Sequence, residues 1–397
     1  MQQILDYYSP RILTTKIANT SIRYYSKPGL PEWDNVSPAL LLLATHANPK
    51  SQDRVWCINC GPGAMATAIC KMVPHGFCCI SVYDTLAIAC SELTRVENDL
   101  HNIQINSEIN LSPPCMGNPD LVLLNIYKGR SLNRRILLQV WQALKPGGRL
   151  LISGANDQGI QSVLKDASQL FENISILAYK KGNRVAQLLK NDSQQRALPD
   201  WTDEPGIAPG TWYIFQLDLF GHSFSLVSLP GVFSSSGLDD GTRLLISSLE
   251  NLSGKKVLDV GCGYGIVGLY AAANGALTVD MVDSQLLAVA SSRENIARNR
   301  YTNCQVYCSD LLSAVNAKSY DYILSNPPFH AGIHIDYQAA QALITGAVSA
   351  LEIGGRLQIV ANRFIPYDRL MVEVFGNVTV LAQSPAYRIL VSKKEKV

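Results

Sequence analysis

Residues 325–332, "SNPPFHAG", set an amide, two prolines and an aromatic ring directly behind the apolar run "YDYIL". Neither Pro327 nor Pro328 has an N–H to give a sheet, so a strand reaching this point must stop in a rigid corner. The corner offers the Asn326 side-chain carbonyl, the Pro327 backbone carbonyl and the face of Phe329. That set suits a planar substrate with an exocyclic amine. Each carbonyl accepts one N–H, the ring stacks on the base, and fixed dipoles meet the positive charge that grows on an attacking nitrogen. Pro328 and Phe329 are thus expected to bind the base, which must be unpaired or flipped out to arrive there. An amine can release its proton after it has reacted, so His330 is expected to line the pocket rather than act as a base.

A second constellation lies upstream. "VLDVGCGYG" (257–265) reads as a short strand entering a glycine-rich turn at a helix start. Gly261, Gly263 and Gly265 allow backbone to approach a ligand closely, with Cys262 inside the turn, at the carboxyl end of a strand where open α/β sheets bind ligands. Asp283 ends the next strand, placed to accept ribose hydroxyls, and Asp310 ends the third, placed to accept an adenine amine. Asp259 sets a negative charge just before the turn, which repels a pyrophosphate and welcomes an ammonium. The glycine spacing is also short of the dinucleotide fingerprint. S-adenosylmethionine, with an ammonium and a sulfonium but no phosphate, fits these residues, and Asn326 is expected to face it as well. Each aspartate alone reads equally well as a cap or turn residue; three at successive strand ends do not. Phe233, in "PGVFSSSG", reads either as a wall of the cofactor or base site or as simple packing.

These residues need a frame, and the chain supplies it twice. "RVWCINCGPGAM" (54–65) precedes "KVLDVGCGYGIV" (256–267) by 202 residues. "PDLVLLN" precedes "YDYILSN" by 201, "ALKPGGRLLI" precedes "ALEIGGRLQI" by 207, and "FENISILA" precedes "FGNVTVLA" by 204. Matches in one order at a nearly constant offset imply duplication of a whole domain. Each copy alternates strand and helix patterns, which means a mostly parallel sheet with helices on both faces. The copies are expected over 1–195 and 205–397, separated by the Pro-, Gly- and Asp-rich segment 191–210. In the second copy a hairpin should turn near Gly221, and Ser284 should open the helix after Asp283. The first copy has Cys57 where the second has Asp259, Asn59 for Gly261 and "NIYK" for "NPPF", while Asp84 reads as the survivor at the second strand's end. It should keep the fold and not the reaction.

Composition sets outer bounds. With 47% hydrophobic and 17% charged residues, the 397-residue chain has material for two ordinary globular cores. A net charge of +2 neither demands nor excludes nucleic acid. The apolar runs are too short to span a bilayer and the start carries no secretory pattern, so a cytoplasmic protein is expected. Cys57 and Cys60 form a C-x-x-C with no second pair at zinc spacing. Buried, reduced thiols and no metal are expected. Lys180, Lys181 and Arg184, with Arg130, Arg134 and Arg135, are candidates for an RNA-contacting surface.

The second half resembles class I methyltransferases, and in particular the bacterial ribosomal RNA guanine-N2 methyltransferases. The resemblance rests on "PGVFSSSGLDDGTRLLI" (230–246), "VLDVGCGYGIVG" (257–268), "SNPPFHAG" (325–332) and "GGRLQIVANRFIPY" (354–367). It implies two tandem Rossmann-like domains, the first degenerate, with the methyltransferase strand order and an antiparallel final strand. It also implies S-adenosylmethionine held by Asp259, Gly261, Gly263, Asp283 and Asp310. The substrate would be ribosomal RNA, free or in a ribosomal subunit, with 16S favoured over 23S, and the working unit a monomer. Two other readings stay open: methylation of another planar amine or amide (adenine N6, or a release-factor glutamine), and an inactive RNA-binding assembly factor.

Overall fold

The computed structural model describes residues 7–111, 117–191, 197–315, 317, 319–327 and 337–395. The chain divides into two compact units, Pro10–Trp212 and Met1–Ser9 with Tyr213–Val397. The division at Trp212 places residues 205–212 with the first copy. Of the described residues before Pro10, Tyr7–Ser9 group with Tyr213–Val397.

The first unit opens with an antiparallel hairpin, β1 (Arg11–Ile17) and β2 (Thr20–Ser26). Its sheet comprises β3 (Arg54–Ile58), β4 (Phe77–Ser81), β5 (Ile103–Asn106), β6 (Leu121–Asn125), β7 (Arg149–Ala155), β8 (Glu172–Lys180) and β9 (Asn183–Leu189), in the order β5-β4-β3-β6-β7-β9-β8. The second unit repeats the plan. A hairpin, β10 (Tyr213–Leu219) and β11 (His222–Ser228), turns at Phe220–Gly221, both with positive φ. The sheet holds β12 (Lys256–Val260), β13 (Thr278–Asp283), β14 (Cys304–Cys308), β15 (Tyr320–Ser325), β16 (Leu351–Asn362), β17 (Thr379–Gln383) and β18 (Tyr387–Lys393), ordered β14-β13-β12-β15-β16-β18-β17. The last strand, β18, runs antiparallel to both its neighbours. Both sheets therefore have the strand order that the resemblance implies.

The central parallel strands are covered on both faces, so their sequences are continuous apolar runs. Val257, Leu258, Ile323 and Leu324 are fully buried. The strand order reverses between β12 and β15, and the crevice at such a switch point is where a parallel sheet exposes ligand-binding loops. The second copy's glycine turn follows β12, and Asn326 follows β15.

Register corrects one expected correspondence. Ile58 pairs with Ser81 and Val260 with Val282, so the first-copy counterpart of Asp283 is the buried Val82. Asp84 instead N-caps α1 (Thr85–Glu97), accepting from the Leu86 N–H at 2.8 Å. The matching position before α2 (Leu286–Arg298) is Gln285. Ser284 does not cap α2; Asp283 Oδ1 accepts the Gln285 N–H at 2.9 Å. The first copy has thus lost this carboxylate too.

The proposed basic surface is also partly dismantled. Arg130 and Arg134 both pair with the buried Asp166, and Arg135 is itself buried, donating to the carbonyls of Gly206 and Ala208. Arg135, together with Arg134 through Glu204, holds the segment around Gly206 to the first unit. Of the nine described cysteines, eight are buried and Cys308 is exposed; none is bridged.

Candidate active site

The turn after β12 owes its shape to glycine. Gly261, Gly263 and Gly265 have φ of 74°, 58° and 90°. A Cβ on Gly265 would lie 2.8 Å from Ser292 Oγ, so this residue lets the turn sit on α2. A Cβ on Gly261 or Gly263 would meet nothing within 4 Å. The backbone there borders open space, the kind of cradle into which a cofactor can be laid. Cys262 helps to shape the turn. Its thiol is buried against Ser292 Oγ, its N–H goes to Val282 O, and its carbonyl accepts from Gly265.

Asp283 braces the turn. Oδ2 accepts the Gly263 N–H at 3.0 Å while Oδ1 holds Gln285. Burial raises its pKa, and the N–H groups of Gln285, Gly263 and Ser284 oppose the rise. Each carboxylate oxygen has two lone pairs, so the side chain retains capacity for ribose hydroxyls. Asp259 lies deeper, 1% exposed, with Oδ2 accepting the Gly268 N–H in the first turn of α3 (Ile266–Ala273). Burial pushes its pKa up to about 7; the Gly268 bond resists the shift and the charge of Asp283 adds to it. Asp259 therefore anchors the helix start as well as standing behind the turn. At the end of β14, Asp310 accepts the Tyr7 hydroxyl.

Asn326 is the most constrained group. Its Nδ2 donates to Asp239 Oδ2 at 3.1 Å and to Thr242 Oγ1 at 2.9 Å. A carboxylate only accepts, so the NH2 must face Asp239 and the carbonyl must point the other way. That carbonyl oxygen, Asn326 Oδ1, is buried and has no hydrogen-bond partner among the described residues. An orphaned buried acceptor costs about 1–3 kcal/mol, which a ligand donor at that point would recover. Pro327, next to it, is buried. Pro328, Phe329 and His330 lie outside the described residues. Phe233 is 66% exposed on the loop after β11, which removes the packing reading. Tyr264 OH ties this loop to the turn through Gly237 O at 2.8 Å.

Sequence reasoning missed Asp239 and Thr242. Their signal is an N-cap: Asp239 precedes α4 (Asp240–Ser247) and accepts the Thr242 N–H. That same oxygen also serves Asn326, which only the packing of α4 near the end of β15 reveals.

The first copy shows how such a site closes. Asn59, at the Gly261 position, adopts φ 56° and reaches from its turn to the end of β6. Its NH2 donates to the carbonyls of Asn125 and Ile126 at 3.0 and 3.2 Å, the positions of Asn326 and Pro327. An internal amide thus occupies two backbone carbonyls at the end of the strand, and that of Ile126 corresponds to the Pro327 carbonyl of the second copy. Ser37 and Leu40 stand at the positions of Asp239 and Thr242, and Asn125 Oδ1 accepts from Ser153 instead. Tyr83, almost fully buried, packs on Tyr127 with ring centroids 5.6 Å apart.

The strand order, the glycine turn with open space above it, and carboxylates at successive strand ends define a class: S-adenosylmethionine-dependent methyltransferase domains of the α/β type. The chain belongs to the methyltransferase small domain family, whose model matches residues 21–187 and 223–391, one match per copy. It is similar to ribosomal RNA small subunit methyltransferase C of Haemophilus influenzae (strain PittGG), 33% identical over 77% of this chain and 88% of the relative. The protein of the same name from Pasteurella multocida is 35% identical over 71% of this chain and 82% of the relative. Among solved structures, the T. thermophilus 16S rRNA N2 G1207 methyltransferase, in complex with AdoMet and guanosine, superposes with a TM-score of 0.82 at 26% identity, covering 99% of this chain and 100% of that one.

With Asn59 filling the first copy's turn, one cofactor per chain is the expected stoichiometry. Calorimetric titration should saturate at one S-adenosylmethionine per chain; a second equivalent bound would mean that Asn59 yields its place.

Proposed function

We propose that the chain transfers a methyl group from S-adenosylmethionine to the exocyclic N2 amine of a guanine in 16S ribosomal RNA, with the chemistry confined to the second copy. The observation that carries this is Asn326 Oδ1, a buried acceptor with no described partner, locked in orientation by Asp239 and Thr242 at the switch point of the sheet. The names of the two relatives and the guanosine bound in the similar structure support the choice of substrate.

In this reading Gly261 and Gly263 give the cofactor room and Asp283 binds its ribose. Asp310 accepts the adenine amine. An ammonium beside Asp259 would favour the ionised carboxylate that burial alone disfavours. When bound, the cofactor supplies an electrophilic methyl on a sulfonium. Asn326 Oδ1 accepts one N2–H of the guanine and the Pro327 carbonyl the other, which fixes the nitrogen in line with the methyl. The same two dipoles stabilise charge on the nitrogen as the bond forms. The proton then leaves to solvent. Phe329 and Pro328 stack on the base, with His330 and the exposed Phe233 at the margin of its pocket. The first copy serves substrate binding and support. The working unit in this reading is a monomer, and ribosomal RNA as substrate supports a cytoplasmic location. No described helix is long and apolar enough to cross a membrane, and no described cluster of His, Cys, Asp or Glu is placed to hold a metal.

The test is mass spectrometry of nucleosides from 16S rRNA, naked and in the assembled small subunit, after incubation with protein and S-adenosylmethionine. N2-methylguanosine is expected. Methyl on adenine N6, or none on either RNA form, would refute the proposal.

A further inference from the structure

The described chain begins with two tyrosines that belong to the distant second unit. Tyr7 is 5% exposed, and its ring meets Tyr8 edge-on with centroids 5.0 Å apart. The Tyr7 hydroxyl donates to Asp310 Oδ1 at 3.1 Å, across 303 residues of sequence. Tyr8 holds the same loop: the Leu312 backbone hydrogen-bonds its hydroxyl. Burial, reinforced by the charge of Asp310, pushes the Tyr8 pKa up to about 12, so it stays neutral at working pH. The loop is also closed from within. Asp310 N–H donates to Ser313 Oγ at 3.2 Å, Ser313 N–H returns to Asp310 O at 3.0 Å, and Leu311 takes a φ of 48°. Asp310 thus sits on a short, strained turn clamped by two phenols from the other end of the chain.

We infer that Tyr7 is a positioning residue for cofactor recognition: its hydroxyl orients the Asp310 carboxylate so that it accepts the N6 amine of adenine. The inference rests on the proposed role of Asp310. A carboxylate at a strand end can rotate about two side-chain torsions, and each freely populated orientation dilutes the one that meets an incoming N–H. A phenol donating to one oxygen selects an orientation and leaves the second oxygen to accept. A charge-assisted bond of this type is roughly twice as strong as a neutral one. Tyr7 and Tyr8 are then part of the catalytic unit, and the duplication lies between the two parts of its cofactor site.

The experiment uses the full-length protein and two ligands, S-adenosylhomocysteine and S-inosylhomocysteine. The second carries a carbonyl where adenine has its amine. Tyr7→Phe should weaken S-adenosylhomocysteine binding about fivefold, the loss of one hydrogen bond's worth of orientation. It should hardly change binding of the inosine analogue, a split between the two ligands that general support of the fold would not produce. Asp310→Ala should abolish the preference for adenine, and adding Tyr7→Phe to it should cost nothing more. If Asp310→Ala keeps the full preference, the assigned role of Asp310 is wrong, and the inference falls with it. If Asp310→Ala loses the preference but Tyr7→Phe retains both affinity and preference, Tyr7 does not position it. Equal weakening toward both ligands, or a penalty that adds fully to Asp310→Ala, would also overturn the inference, since either means general support of the fold.

Discussion

Asn326→Ala should slow methyl transfer by about a hundredfold to a thousandfold at saturating cofactor, the range seen when one preorganised polar group is removed from a reacting centre. The variant deletes the acceptor that aligns the amine and stabilises its developing charge. S-adenosylmethionine affinity should change far less, because the glycine turn and Asp283 are untouched. Asp239 and Thr242 extend the argument. They hold the NH2 side of the amide, so Asp239→Ala frees the carbonyl to rotate and should reproduce part of the loss with Asn326 intact. Single-turnover methylation of a guanine-containing RNA is the measurement. A near wild-type rate for Asn326→Ala would reduce the Asn-Pro-Pro corner to a strand terminator.

The second large effect should fall on binding. Asp283→Ala removes the acceptor for the Gly263 and Gln285 N–H groups and, in the proposed reading, for the ribose hydroxyls. Hydrogen bonds to a charged group contribute about 1.5–3 kcal/mol each, so S-adenosylmethionine affinity should fall by roughly a hundredfold. Asp283→Asn keeps a single acceptor oxygen but turns an NH2 toward a backbone N–H, and should land between wild type and alanine. Calorimetry on the folded variants checks both. Unchanged affinity in Asp283→Ala would mean that the carboxylate only braces the turn.

The two copies make a natural comparison for these variants. Both keep the sheet order and a turn with positive φ at corresponding positions. They differ where the second copy leaves polar groups unfilled. The first has Asn59 on its two strand-end carbonyls, Val82 in place of Asp283 and Leu40 in place of the threonine that holds the Asn326 amide. No one of these changes disturbs the hydrophobic pattern of the strands, so the fold survives the loss of the site.

Local chemistry made much of this legible from sequence. Continuous apolar runs, glycines at turns and prolines after a strand all act within a few residues, so the strand–helix alternation, the duplication, the glycine turn and the Asn326 corner could be read directly. The aspartates were visible as strand-end residues for the same reason. Their commitments were not: Asp259 also caps α3 from a buried site, and Asp84 caps a helix where spacing suggested a surviving ribose carboxylate. A carboxylate at a turn satisfies either demand equally well, and only strand register tells which backbone amide it meets. Long-range pairings were wholly out of reach. Asp239 meets Asn326 across 87 residues, and Tyr7 meets Asp310 across 303. Arg130, Arg134 and Arg135 looked like a basic surface until Asp166 and the carbonyls of 206–208 closed on them. Periodicity says which face of an element is buried; it says nothing of which other element arrives there, and that arrival is set by how the helices and loops cross the sheet.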